Sequence, residues 1–458
     1  MAAQQSLDKQ NTSAYWYAFL LCFLVLAIRS WARLWYPEFW AEDAAVFFAD
    51  ALKTGYSSLT LPFAGSFHTV QRLISLATIH LLPVAWWPGA VCLSCYIITA
   101  AIAGAIVRPG HAWIIPSSAA RFAVALMLCF AAGLDEMLGN LANLNWILLI
   151  WLGLLGLRDP RQKITVVELG AAVMILLSVG TAILLVPLFA WRTVNSFRDA
   201  QLRSNRAGEV TLLALIVVCS MGLVLMNRQG FGSETQNHAI LLEILRDGPK
   251  NLAQYMLRLW ILAPWMGLSF QSYLWHSPDY VLWQWVSTLA LLGLTDWLLW
   301  TRARPGLLAI LLFTAGIAVW PVLNWIARPG TLRVVFVEFR DWSTFRYAYP
   351  LSAAAAIFWV SLLRPQQLIG SRHALWTLAF ILCNLGTGMS HPWIKRQGWT
   401  ERKGETAWAE SAPLLEKSLK TGCPAKVVMT AYPTGWAMVY DSNRSAAECE
   451  KEATNHSP

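Results

Sequence analysis

The chain has 458 residues, 57% of them hydrophobic and only 13% charged, with a formal charge of +9 and a mean hydropathy of +0.47. Soluble domains carry about 25% charged residues, so the composition excludes an ordinary soluble enzyme and predicts a polytopic membrane protein. The positive charge, which would suggest nucleic acid in a soluble chain, becomes a matter of membrane topology. The 26 tryptophans agree, because indole favours the membrane–water interface.

The first apolar run, about 14–34, is too long for a signal-peptide core and has no small-residue cleavage site, so it reads as a retained anchor. Directly after it, "WAEDAAVFFADALKTG" (40–55) sets Glu42 beside Asp43 in a chain that otherwise avoids charge. One reading is a cap for the helix that follows, since acids favour helix N-termini. The other is a general base held at an apolar face, where desolvation raises its pKa. The next stretch, "SLTLPFAGSFHTVQR" (58–72), uses Pro and Gly for a tight loop that delivers His68 and Arg72, four apart on one helical face. Such a pair suits a phosphate or pyrophosphate headgroup; Arg72 snorkelling to lipid is the alternative. The run 69–83, which also carries Gln71 and His80, predicts a helix lying in the interface.

Five basic stretches, 108–121, 158–163, 191–209, 301–305 and 364–373, are placed in the cytoplasm. The acid-bearing stretches 38–50 and 135–136, Asp279 and the tail after His391 then lie outside. Parity makes 251–267 a re-entrant or interfacial helix and leaves about eleven crossings, near 14–34, 88–107, 119–134, 145–157, 164–178, 182–191, 210–226, 280–301, 306–325, 347–363 and 374–390. Several are shorter than the ~20 residues of a full span, which suggests a cavity open to one side. The expected fold is therefore all-α and polytopic. A transmembrane domain, 1–390, includes a first external loop, 35–87, with interfacial helices; a small external domain follows at 391–458. Within that tail "CPAKVVMTAYPTGWAMVYD" (423–441) predicts strand–turn–strand.

Two further clusters carry polar side chains. "LDEMLGNLANLNW" (134–146) is expected as an external turn holding Asp135, Glu136, Asn140, Asn143 and Asn145. Asn both donates and accepts, which suits sugar hydroxyls in a polar cavity; helix capping on both sides of the turn is the alternative. In "VEFRDWSTFRYAYP" (337–350), Arg340 has acidic neighbours to pair with, while Arg346 and Tyr347 at a helix start are candidates for a lipid phosphate. The Gly-rich loop 227–250, with Glu234 and His238, reads either as a lid or as a solvated loop. Six of the eight cysteines lie in apolar segments and behave as small hydrophobes. Cys92 and Cys95 have CxxC spacing without a second pair, so no metal site is expected. Cys423 and Cys449, in the polar tail, would form a disulfide outside the cytoplasm. There is no Walker motif, no GxGxxG after a strand, no HExxH and no Ser–His–Asp signature.

The stretch "WAEDAAVFFADALKTGYSSLTLPFAGSFHTVQRL" (40–73) is similar to a pattern, WAEDG.VF…A…G..SL..PYAGY.H..PRL, of bacterial members of the GT-C superfamily of integral-membrane glycosyltransferases. "GNLANLNW" (139–146) resembles their NL.NLHW turn, and "FRYAYP" (345–350) a late Arg-Tyr element. The chain departs from the pattern at Ala44 for Gly, Ser66 and Phe67 for Gly-Tyr, Gln71 for Pro and Asn145 for His. The resemblance implies a multi-pass protein of the bacterial inner membrane, N-terminus cytoplasmic and C-terminus periplasmic. It implies transfer of a sugar, with inversion, from a polyprenyl-phosphate donor to a cell-surface glycan or protein acceptor. No cofactor and no nucleic acid are expected, and the absence of a metal cluster with convincing ligand spacing in the sequence predicts a metal-independent mechanism. Carried over, Asp43 or Glu42 is the base, with Asp43 preferred; His68, Arg72, Arg346 and Tyr347 hold the donor phosphate; Glu136, Asn140, Asn143, Asn145 and His238 line the sugar or acceptor site. The rivals are a flippase or transporter of lipid-linked saccharide and a non-catalytic subunit of polysaccharide assembly. Against the first, the expected spans are nearly free of charge and show no internal repeat.

Overall fold

The computed structural model describes residues 2–226, 305–327, 346–363, 407–431, 436–442 and 444–455, together with positions 260, 293 and 382. The expected spans near 280–301 and 374–390, the helix 251–267, and Glu234, His238, Asp279 and Arg340 lie outside the described residues. What is described is mostly helical. In chain order the elements are α1 (Ala2–Arg29), α2 (Trp31–Trp35), a π-helical turn (Asp43–Phe48) running into α3 (Ala49–Thr54), α4 (Thr69–Leu81), α5 (Trp87–Ala105), α6 (Ser118–Phe130), α7 (Leu134–Met137), α8 (Leu144–Leu157), α9 (Val166–Leu176), α10 (Val186–Arg198), α11 (Arg206–Met226), α12 (Pro305–Ala327), α13 (Tyr349–Leu363) and α14 (Ala407–Thr421). The chain closes with β1 (Lys426–Ala431), β2 (Trp436–Asp441) and α15 (Ala446–Asn455). The antiparallel β1–β2 pair, in register from Lys426 opposite Asp441 to Ala431 opposite Trp436, is the exception to an all-α fold among the described residues.

Local chemistry sets the boundaries. The Thr165 hydroxyl accepts from the Glu168 amide at 3.2 Å while the Glu168 carboxylate accepts from the Thr165 amide at 2.8 Å. This reciprocal box starts α9. Ser117 caps α6 by accepting from the Ala120 amide. The expected first span of 14–34 is too long: Ser30 leaves the helical region at φ −132°, ψ 41°. The residue run "WARLW" becomes the separate helix α2, with Arg33 buried in it.

Two compact units interleave along the chain. One gathers the described residues of 2–29, 99–136 and 146–363. Here α6 packs on α1 and α13, and α12 lies against α10 and α13. Gly316 lets α12 come so close to the backbone at Leu184 that a Cβ would sit 2.2 Å from its carbonyl oxygen. A buried guanidinium ties three helices: Arg192 of α10 donates to the Glu209 carboxylate of α11 at 3.0 Å, and to the carbonyls of Gly156 and Arg158 where α8 ends. Arg121 donates to the carbonyls of Val107, Ile115 and Pro116, and Arg158 pairs with Glu168. Several arginines of the basic stretches therefore have internal structural partners.

The second unit holds 30–98, 137–145 and the tail residues 407–455. The tail groups with the first-loop residues. Trp408 of α14 donates its indole N–H to the Val84 carbonyl at 3.2 Å and packs edge-on against Phe39, ring centres 4.8 Å apart. A disulfide joins Cys423 to Cys449, tying the entry to β1 to α15.

Among the described residues two helical stretches, Val84–Ala105 and Ala200–Leu223, are long and apolar enough to cross a membrane. Shorter apolar helices occupy Ser13–Arg29, Ser118–Phe130, Leu144–Leu157, Val166–Leu176 and Gly306–Trp320.

Replacing Arg192 by Met alone should strand the Glu209 charge in the interior and lower stability by about 3–5 kcal/mol. The double change with Glu209→Leu should recover most of that loss. Thermal unfolding of the three purified proteins measures both effects.

Candidate functional site

The Asn-rich turn, 137–145, is buried, so each of its backbone groups needs a partner. Four contacts within its unit supply them. The Arg33 guanidinium donates to the Leu138 carbonyl. Gly139 adopts φ +76°, and a Cβ there would lie 2.9 Å from the Cys92 sulfur; only glycine fits. Asn140 accepts from the Asn143 amide at 3.0 Å. Between them, Asp43 accepts with Oδ2 from the Leu141 amide at 2.9 Å and with Oδ1 from the Ala142 amide at 2.8 Å. Its carboxylate thus satisfies amides that precede α8, about a hundred residues along the chain, and caps no turn of its own. Asp43 is fully buried. That burial pushes its carboxyl from 3.8 up to about 8, against the pull of the Leu141 and Ala142 amides and with a smaller upward push from Glu42.

Glu42 behaves differently from its neighbour. It opens the π-helical turn without a capping hydrogen bond. It is half-buried, and its Oε2 has no hydrogen-bond partner among the described residues. Helix capping therefore accounts for neither acid. Single π turns recur at functional sites; this one carries Glu42 at its head and Phe47 near its end.

Phe47 leads to His68 and Arg72. The tight loop before them closes by paired backbone bonds between Phe63 and Ser66; His68, at φ 51°, is left-handed. The expected surface cations are corrected here, because α4 buries Gln71, Arg72 and Ser75 inside the unit. Arg72 donates to Asp50 Oδ2 at 2.8 Å and to the Phe67 carbonyl at 3.0 Å, and its guanidinium lies 5.6 Å from the Phe47 ring centre. It is an internal ion pair and does not snorkel. Its Nη2 remains without a hydrogen-bond partner among the described residues. The His68 ring lies 5.3 Å from Phe47 and 5.8 Å from Phe63, centre to centre, and neither nitrogen makes a hydrogen bond of good geometry among the described residues. Burial first, and then the Arg72 charge, lower its pKa to about 4, a weak contact with the Phe63 backbone offsetting part. At neutral pH the expected cationic pair is thus a neutral imidazole beside a guanidinium that Asp50 already balances.

In the other unit, Glu136 and Arg346 are each other's partner. The Arg346 amide donates to Glu136 Oε2 at 2.8 Å and its guanidinium to Oε1. Arg346 therefore brings no unbalanced charge to a phosphate, and Glu136 no free carboxylate to a sugar. Tyr347 is buried, edge-on to Trp146 at 5.6 Å and 6.3 Å from Trp320, with the Arg346 guanidinium 5.0 Å from its ring centre. Of the asparagines, Asn140 serves the turn, whereas Asn143 Nδ2 and Asn145 Oδ1 are buried without hydrogen-bond partners among the described residues. Arg33, Phe47, Asp50, Trp146 and Trp320 are structural members that spacing alone does not reveal; Trp146 at least closes the Asn-rich motif. Among the described residues no group of three or more His, Cys, Asp or Glu could hold a metal ion.

The chain matches no protein-family model, no curated protein and no solved structure.

Replacing Asp43 by Asn sets an NH2 group against one of the two amides. It should lower stability by about 1–3 kcal/mol. Because the folded pKa of about 8 lies above the ordinary 3.8, the carboxyl's contribution is fully present below about pH 4 and is lost as pH rises toward 8. The margin of wild type over Asp43→Asn should narrow across that window in melting curves; a constant margin would remove Asp43 as the titrating group.

Proposed function

We propose that the protein is a multi-pass glycosyltransferase of a bacterial inner membrane, with its N-terminus cytoplasmic and its C-terminal tail periplasmic. It takes a sugar from a polyprenyl-phosphate donor and places it on a cell-surface glycan or protein. The observation that carries this reading is the division of labour between adjacent acids. Asp43 commits both oxygens to the Asn-rich turn, while Glu42 keeps an oxygen without a partner among the described residues. Glu42 heads the same π turn whose Phe47 lies against His68 and Arg72.

The chemistry assigned to these groups is a single displacement. Glu42 accepts the proton of an acceptor hydroxyl; the oxygen attacks the anomeric carbon as the bond to the carrier phosphate breaks, and the configuration inverts. Arg72 donates to the departing phosphate. Asp43 is a positioning residue that holds the Asn-rich turn. The preference for Asp43 as base thus gives way to Glu42. The membrane setting draws support from where apolar side chains sit. Tyr17, Leu24 and Ile28 of α1 and Val218, Met221 and Leu225 of α11 are exposed, whereas Arg121, Arg192 and Glu209 are buried. Soluble proteins show the reverse distribution.

Cell-surface glycan composition tests the proposal in cells carrying the wild-type gene, a deletion, or Glu42→Gln, with protein levels in the membrane matched. Deletion and Glu42→Gln should lose the same sugar, the purified variant transferring about 10²–10⁴-fold more slowly. If the deletion loses the sugar and Glu42→Gln retains it, the transferase mechanism fails, and carrier translocation or an assembly role replaces it.

A further inference from the structure

We infer that Gln71 reads a hydroxyl group on the ligand held at the first turn of α4 and so decides which phosphoester binds there. The inference deepens the transferase reading, on which it rests for the ligand's biological identity.

Gln71 is fully buried, and neither its amide oxygen nor its amide nitrogen has a hydrogen-bond partner among the described residues. A buried amide in that condition marks a missing partner. It is not isolated. One turn back, neither His68 ring nitrogen makes a hydrogen bond of good geometry among the described residues, one of them having only the weak contact with the Phe63 backbone; one residue on, Arg72 leaves Nη2 unmet. Ser58 Oγ, buried on a 3-10 segment (Gly55–Thr60) that packs along α4, is unmet as well. Together these offer one cationic donor and three groups that both donate and accept, since a neutral imidazole has one nitrogen of each kind. The Arg72 charge is already opposed by Asp50, so the set is close to electrically neutral. Such a set fits a phosphoester whose alcohol portion carries hydroxyls better than it fits a bare polyanion. In the sequence pattern that this stretch resembles, position 71 is proline, which has no side-chain donor or acceptor; the hydroxyl-reading amide is this chain's own.

Two sources supply that chemistry: the glycosylated carrier, or the phosphatidylglycerol of the bilayer. The full-length protein in phosphatidylcholine nanodiscs is titrated with a panel of hexose 1-phosphates and with methyl phosphate, binding being read by calorimetry. Wild type should bind at least one hexose 1-phosphate 10-fold or more tightly than methyl phosphate. Gln71→Leu should abolish that preference, leave methyl phosphate affinity unchanged and not lower the melting temperature of the unliganded protein. On wild type, one of the single-deoxy derivatives of the preferred hexose 1-phosphate should lose the same preference, a test that needs no variant to fold. Phosphatidylglycerol added to the discs that competes with the hexose phosphate in wild type alone would identify the lipid headgroup as the occupant; absence of competition would identify the carrier-linked sugar. The inference is overturned if wild type shows no preference over methyl phosphate, if Gln71→Leu keeps it, water then meeting the amide, or if Gln71→Leu weakens both ligands equally while lowering the unliganded melting temperature. These binding outcomes are separable from the Glu42→Gln glycan result, which decides the transferase reading by itself.

Discussion

The carboxylate of Asp43, placed on the amides of Leu141 and Ala142, is the contact on which the second unit depends. A buried turn rich in backbone donors needs an acceptor brought from elsewhere, and an acid one residue past Glu42 supplies it with both oxygens. Desolvation opposes this and the amides favour it, and the raised pKa records which of the two is larger. Arg33 on the Leu138 carbonyl and the left-handed Gly139 complete the same task from other directions. The turn is thus held by residues from two segments that look unrelated in the chain.

Both units combine closed polar networks with buried atoms that are unmet among the described residues, His111 Nδ1, Arg158 Nε and Trp320 Nε1 in the first among them. In the first, Arg192 and Glu209 satisfy each other and nearby carbonyls, and Glu136 with Arg346 does likewise. Such closed networks are what a packed interior requires. In the second, Glu42, His68, Gln71 and Arg72 each keep at least one buried atom unmet among the described residues. Each unmet buried group calls for an explanation, whether a water, an ion, a ligand or a reaction. What distinguishes the second unit is that three of them, His68, Gln71 and Arg72, fall within five residues of the chain.

Local signals were legible in the sequence, and long-range pairings were not. The helix at 69–81 and the strand–turn–strand of "KVVMTA" and "WAMVYD" each follow from neighbours within a few residues, and each is present. Spacing suggests one helical face for His68 and Arg72, although His68 stands just before α4 in the left-handed region. It could not show that the face turns inward, because that depends on Asp50 and Phe47 arriving from the preceding helical segments. The partner of Glu136 lies 210 residues away, and no periodicity announces it. Arg121, Arg158 and Arg192, which the sequence analysis counts as markers of membrane side, also have internal partners, and composition counts charges without seeing what they touch. The break at Ser30 was hidden by an apolar run that continues on both sides of it.

The Trp408 indole on the Val84 carbonyl joins positions 324 residues apart. At the roughly 5–20 residues per second of protein synthesis, the ribosome needs tens of seconds to pass from one to the other. During that interval the surface formed by Phe39 and Trp87, which Trp408 later covers, is bare. A chain cut short before α14 leaves it bare permanently. α14 therefore seals this surface late in synthesis, and a chain that stops before it leaves the aromatic patch of Phe39 and Trp87 exposed.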